Sequence, residues 1–85
     1  MPHITVYSGT PCPYCERAKM LLKKKGAAFE DFDVRADATK MSEMLEKTGG
    51  KRTIPQIFIG DRYIGGCDDL YALDSAGKLD ALLAQ

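Results

Sequence analysis

Along this chain the spacing of apolar positions changes period several times, and each change marks an element. Residues 3–7, HITVY, are β-branched and aromatic and predict a buried first strand. The polar stretch SGTP breaks it. From Pro13 onward, Ala18, Leu21 and Leu22 fall at helical spacing, and Gly26 supplies the stop. Residues 27–34, AAFEDFDV, predict a second strand. A second helix fits 37–48, capped by Asp37, with Met41, Met44, Leu45 and Thr48 on one face and Gly49-Gly50 at its end. The methionines there read as core filling. QIFIG (56–60) and RYIGG (62–66) flank Gly60-Asp61, a hairpin signal. DDLYALDSAG (68–77) opens with two carboxylates suited to a helix N-terminus, and KLDALLAQ (78–85) predicts a short helical tail.

The resulting order, β-α-β-α-β-β-α, predicts one α/β domain over residues 1–85 without repeats or linkers. Strands 1 and 2, joined through a helix, should run parallel with a right-handed crossover. Strands 3 and 4 form an antiparallel hairpin. The expectation is a mixed four-stranded sheet with helices on both faces.

Length and charge narrow the function. A chain of 85 residues buries about 60–68% of its unfolded surface, enough for one core without metals or crosslinks. The formal net charge is zero, so there is no electrostatic footprint for nucleic acid. Lys23-Lys24-Lys25 reads as a solvated helix end, where cations suit the macrodipole. The first residues lack the apolar core of a secretory signal, and no run approaches the roughly 18 apolar residues of a membrane span. These features predict a cytoplasmic protein, in a compartment where paired cysteines are more often catalytic or metal-binding than structural; a monomer is expected. Three cysteines make an odd count, which argues against a disulfide framework.

The sharpest chemical signal is Cys12-Pro13-Tyr14-Cys15. A closed zinc site needs four ligands, and Cys12, Cys15, Cys67 and His3 match no usual spacing; His3 reads as a surface residue, and no metal is expected. A redox pair has a mechanism. With Pro13 at the first helical position, where its missing amide hydrogen is no loss, Cys12 is the N-cap and Cys15 the third residue. A thiolate at the cap can accept the amide hydrogens of Tyr14 and Cys15, as a capping oxygen would. Lowering a thiol pKa from about 8.5 to about 7 takes roughly 2 kcal/mol. A helix terminus typically supplies about 0.3–1 kcal/mol, and a hydrogen bond to a charged group about 1.5–3 kcal/mol. Cys12 is therefore the expected nucleophile and Cys15 the resolving thiol. Such a pair beside a β-α-β pattern reads as a thioredoxin-like redox motif.

Two further stretches bear on binding. Pro55, in TIPQIFIG, stands at a strand start, where proline is tolerated. A cis Ile54-Pro55 bond would turn the Ile54 backbone outward to pair with an extended peptide, whereas a trans bond would make it an ordinary strand opening. Gly65-Gly66-Cys67-Asp68-Asp69 joins a tight turn to a helix N-terminus capped by Asp68. Its amides could hold a carboxylate and an aspartate could hold an ammonium, which together fit the free end of an amino acid. Cys67 reads either as a buried small residue or as an exposed, oxidisable thiol.

With CPYC, TIPQIFIG and GGCDDL in this order, the whole chain resembles the glutaredoxins of the small dithiol class. The resemblance implies a thioredoxin fold and glutathione-dependent reduction of protein disulfides and glutathione mixed disulfides. It implies that Cys12 attacks the substrate sulfur and Cys15 closes an intramolecular disulfide. Tyr14, Thr53, Ile54 and Pro55 would receive the cysteinyl part of glutathione; Gly66, Cys67, Asp68 and Asp69 would receive its γ-glutamyl end. Disulfide-containing or glutathionylated proteins, ribonucleotide reductase among them, are the implied partners. The alternatives are a redoxin fed by a flavoenzyme and a carrier of a glutathione-ligated iron–sulfur cluster. One departure stands out: many relatives carry a lysine three residues before the first cysteine, where this chain has Gly9, with Lys51 and Arg52 as candidate substitutes.

Overall fold

The computed structural model describes residues 2–85. Its elements are β1 (Ile4–Ser8), α1 (Pro13–Lys24), β2 (Glu30–Asp33), α2 (Ala38–Thr48), β3 (Gln56–Ile59), β4 (Arg62–Gly65), α3 (Cys67–Ser75) and α4 (Leu79–Leu83). The four strands form one sheet in the order β2-β1-β3-β4. β1 runs parallel to β2 and antiparallel to β3, and β4 returns antiparallel on β3. This is the mixed sheet of the thioredoxin fold.

The central strands are buried on both faces, and the two-residue period of a strand sorts their side chains. Ile4 and Val6 of β1 and Ile57 and Ile59 of β3 face one way, against Ala18, Leu21 and Leu22 of α1, Leu70 of α3, and Leu79 and Leu83 of α4. Tyr7 and Phe58 face the other way, against Met44 of α2 and Val34, which follows β2. Each fully buried leucine contributes about 1.5–3 kcal/mol, so the aliphatic face anchors α1 firmly on the sheet. Asp37 caps α2 as expected, its Oδ1 accepting from the amides of Thr39 at 3.0 Å and Lys40 at 3.2 Å. Gly49 ends that helix at φ 75°, a left-handed conformation suited to glycine.

Three expectations are corrected. The second strand is shorter than residues 27–34 because the start of that stretch closes α1: the Ala27 amide donates to the Leu22 carbonyl at 3.0 Å, and Ala27 is buried. Its apolar character serves the helix end rather than a strand. The lysine run is not uniformly solvated either, since Lys25 Nζ pairs with Asp74 at 2.7 Å and Asp80 at 3.0 Å, tying α1 to α3 and α4. Finally, α3 begins at Cys67, with Gly66 and not Asp68 at its N-cap. The Asp69 carboxylate reaches back to accept from the Gly66 amide at 2.9 Å, which is half of a capping box; glycine has no side chain to return the bond.

Candidate active site

The loop from Gly9 to Pro11 delivers Cys12 to the N-cap of α1 with extended backbone (φ −155°, ψ 98°) and Pro13 at the first helical position. Cys12 and Cys15 are joined as a disulfide, with their Cα atoms 5.2 Å apart. Cys12 Sγ accepts a hydrogen bond from the Cys15 amide at 3.2 Å. The expected second bond, from Tyr14, does not form in this state. The two sulfurs differ in access. Cys15 is completely buried, whereas Cys12 is only partly covered.

Beside the pair lies an open cleft of about 270 Å³ lined by Tyr14, Lys51, Thr53 to Gln56, Tyr63 and Gly66 to Asp69. Tyr14, two residues from Cys12, is 55% exposed and forms one lip, with the Arg17 guanidinium 5.9 Å from its ring centre. The floor is set by the Ile54-Pro55 bond, which is cis, and by Gln56. Gln56 is buried and its Nε2 donates to the Thr53 carbonyl at 2.8 Å and to Thr53 Oγ1 at 3.0 Å, while its Oε1 accepts from the Tyr63 hydroxyl. That side chain straps the 53–55 segment to the sheet. Across the cleft, Gly65 adopts φ 114° and its Cα hydrogen faces the Asp69 carboxylate so closely that any Cβ would collide with it. A Cβ on Gly66 would stand 3.4 Å from the Pro55 carbonyl oxygen. The double glycine therefore lets the N-terminus of α3 close against the cis-proline turn.

The structure brings Tyr14, Thr53, Ile54, Pro55, Gly66, Cys67, Asp68 and Asp69 to this one cleft. Cys67 is buried, and that burial pushes its thiol pKa up, with Asp68 adding to the rise and Arg17 opposing it. It thus matches the first of its two readings. Three residues escaped the sequence reading. Gln56 and Tyr63 line the cleft through contacts that no local pattern signals. Arg35, from the turn after β2, donates from Nη1 to the Pro11 carbonyl, next to the redox turn. Of the two expected substitutes for the absent lysine, Lys51 lines the cleft and Arg52 does not. Among the described residues, no group of three or more His, Cys, Asp or Glu side chains is placed to hold a metal ion, and no helix is long and apolar enough to cross a membrane.

The family model for glutaredoxin matches residues 4–64. Glutaredoxin 3 of Escherichia coli K12 is 49% identical over 83 residues, covering 98% of this chain and 99% of that protein. A probable glutaredoxin of Synechocystis is 51% identical over 80 residues, covering 94% and 91% of the two chains. Among solved structures, the Brucella melitensis glutaredoxin superposes with a TM-score of 0.83 at 52% identity, over 98% of this chain and 89% of that one. A buckwheat glutaredoxin–glutathione complex gives a TM-score of 0.85 at 34% identity, over 95% of this chain and 76% of that one.

Proposed function

The chain belongs to the glutaredoxin family and so is a thiol–disulfide oxidoreductase with a Cys12/Cys15 centre, and from that premise we propose that glutathione is its reductant. The observation that carries this reading is the shape and chemistry of the cleft. One lip is the first turn of the helix that Cys12 caps, the floor is a turn suited to an extended peptide, and the far end is a helix N-terminus flanked by carboxylates. A tripeptide thiol with a free amino-acid end fits that sequence of features, and the structural relative from buckwheat was solved with glutathione.

In this reading the Ile54 backbone pairs with the cysteinyl residue, as a strand pairs with a sheet edge, and Thr53 and Pro55 flank it. The first-turn amides of α3 have no intrahelical acceptors and take the γ-glutamyl α-carboxylate; the Asp68 carboxylate takes the ammonium. Asp69 is partly committed to the Gly66 amide and shapes this end. Lys51 faces the glycyl carboxylate. The targets are disulfide-containing or glutathionylated proteins, ribonucleotide reductase among them.

The chemistry balances as successive exchanges. The Cys12 thiolate attacks the glutathionyl sulfur of a mixed disulfide, forming Cys12–S–S–glutathione and releasing the target as thiolate. A second glutathione thiolate attacks the bound glutathionyl sulfur, regenerating Cys12 and leaving oxidised glutathione. With a protein disulfide as substrate, Cys12 first bonds the target. Cys15 then loses its proton and displaces it, closing the disulfide seen here, and two glutathiones return two electrons to the enzyme. Steady-state reduction of a glutathione mixed disulfide, with glutathione as donor, tests the reading. Cys12→Ser should lose about a thousand-fold or more in turnover, while Cys15→Ser should retain activity by the first route. Wild-type activity with a flavoenzyme donor and none with glutathione would reject it.

A further inference from the structure

Arg35 lies 24 residues from Pro11 in sequence, yet its guanidinium sits on the Pro11 carbonyl. Its backbone is held there: the amides of Arg35 and Ala36 both donate to Asp33 Oδ1, at 2.9 Å and 3.1 Å, and the Ala36 amide also donates to the Asp33 carbonyl at 3.2 Å. The stem of the side chain is held as well. Gly9 is buried, and a Cβ there would lie 2.8 Å from Arg35 Cδ, 3.0 Å from Arg35 Cγ and 2.8 Å from Ile54 Cδ1. The absence of a side chain at position 9 thus leaves the channel through which Arg35 reaches the redox turn. The peptide it grips is the one that bonds Pro11 to Cys12. Standard bond lengths therefore keep the guanidinium within about 9 Å of the Cys12 sulfur in any rotamer.

The geometry points to Arg35 as a positioning residue that fixes the Pro11–Cys12 peptide and holds a positive charge beside the Cys12 sulfur, favouring its thiolate. The inference rests on Cys12 being the nucleophile. The other charged groups on the elements meeting at the turn are Glu16, Arg17, Lys19, Lys23 and Lys24 on α1, Glu30, Asp31 and Asp33 on β2, and Lys51, Asp68 and Asp69 lining the cleft; Lys19 is paired with Asp31 at 2.8 Å. Acids and bases are nearly balanced among them, so the charge beside Cys12 is set by which group is held against its own loop. Asp33 is already occupied by two amide donors, and Arg35 is the cation in hydrogen-bond contact with the loop that carries Cys12. Because Arg35 is exposed, its Coulomb attraction at that range is screened, and it amounts to about a two- to five-fold change in thiolate fraction.

The test is the pH dependence of Cys12 alkylation in the reduced protein, followed by peptide mapping, for wild type, Arg35→Gln, Arg35→Lys and Arg35→Glu. Below the Cys12 midpoint, Arg35→Gln should react about two- to five-fold more slowly than wild type, with the same plateau at high pH. Arg35→Glu should be slower still, Arg35→Lys should recover most of the rate, and about 1 M salt should narrow the differences. Superimposable wild-type and Arg35→Gln profiles overturn the inference. So does an Arg35→Lys profile as displaced as that of Arg35→Gln, since charge would then not be the cause. A wild-type midpoint well above neutrality counts against the thiolate mechanism itself, while Arg35 is still judged by the displacement between variants.

Discussion

The N-termini of α1 and α3 contribute first-turn residues to the same cleft, yet they treat sulfur in opposite ways. At α1 the sulfur of Cys12 occupies the N-cap, partly open to solvent, and accepts an amide hydrogen as a capping oxygen would. At α3 the sulfur of Cys67 is the first helical residue, buried, and its pKa is pushed up by desolvation. The difference shows that a helix terminus does not by itself make a reactive thiol. One step in sequence past the cap turns the side chain away from the free amides and into the core, and desolvation then outweighs the terminus. The capping task at α3 falls instead to the Asp69 carboxylate, and the ligand role proposed above goes to Asp68.

That contrast can be sharpened by substitution. Asp68→Ala should raise the KM for glutathione roughly ten-fold with little effect on stability, the loss expected for one exposed, charge-assisted hydrogen bond; an unchanged KM would take Asp68 out of the binding set. Asp69→Ala should act mainly on the fold, lowering unfolding free energy by about 0.5–2 kcal/mol in a urea titration because the Gly66 amide loses its acceptor. If Asp69→Ala leaves stability intact, the assignment of capping to one aspartate and binding to its neighbour is broken.

The smallest expected effect concerns pH. Folding raises the pKa of the Cys67 thiol above its unfolded value of about 8.5, so the folded state holds the proton more tightly. Its contribution to stability is complete below that pH and is lost as pH climbs toward the folded pKa. The melting temperature of wild type should therefore fall relative to Cys67→Ala as pH rises above about 8. A constant gap between the two would show that Cys67 is not protected by burial.

The fold was readable because both faces of the central strands are apolar and because caps announce themselves: Asp37, Pro13 and Gly49 each stand where local physics demands. The redox pair and the residues of the cleft were readable for the same reason, being carried by short contiguous motifs. What escaped depends on distance along the chain. Arg35 reaches Pro11 only after the sheet has assembled, and Tyr63 reaches Gln56 only once the β3–β4 hairpin has closed. Gly66 caps α3 without a side chain, so the sequence points to the neighbouring Asp68 instead. The apolar character of Ala27 carries no mark of which element it serves.

The inner sulfur, sealed beneath the first turn of α1, makes the bond between the two cysteines one-sided. A reductant arriving from the cleft meets only the outer atom, so Cys15 is always the departing group and leaves into the interior. The traffic of electrons through this small machine therefore has a single doorway, and whatever crosses it must first become covalently attached at that threshold.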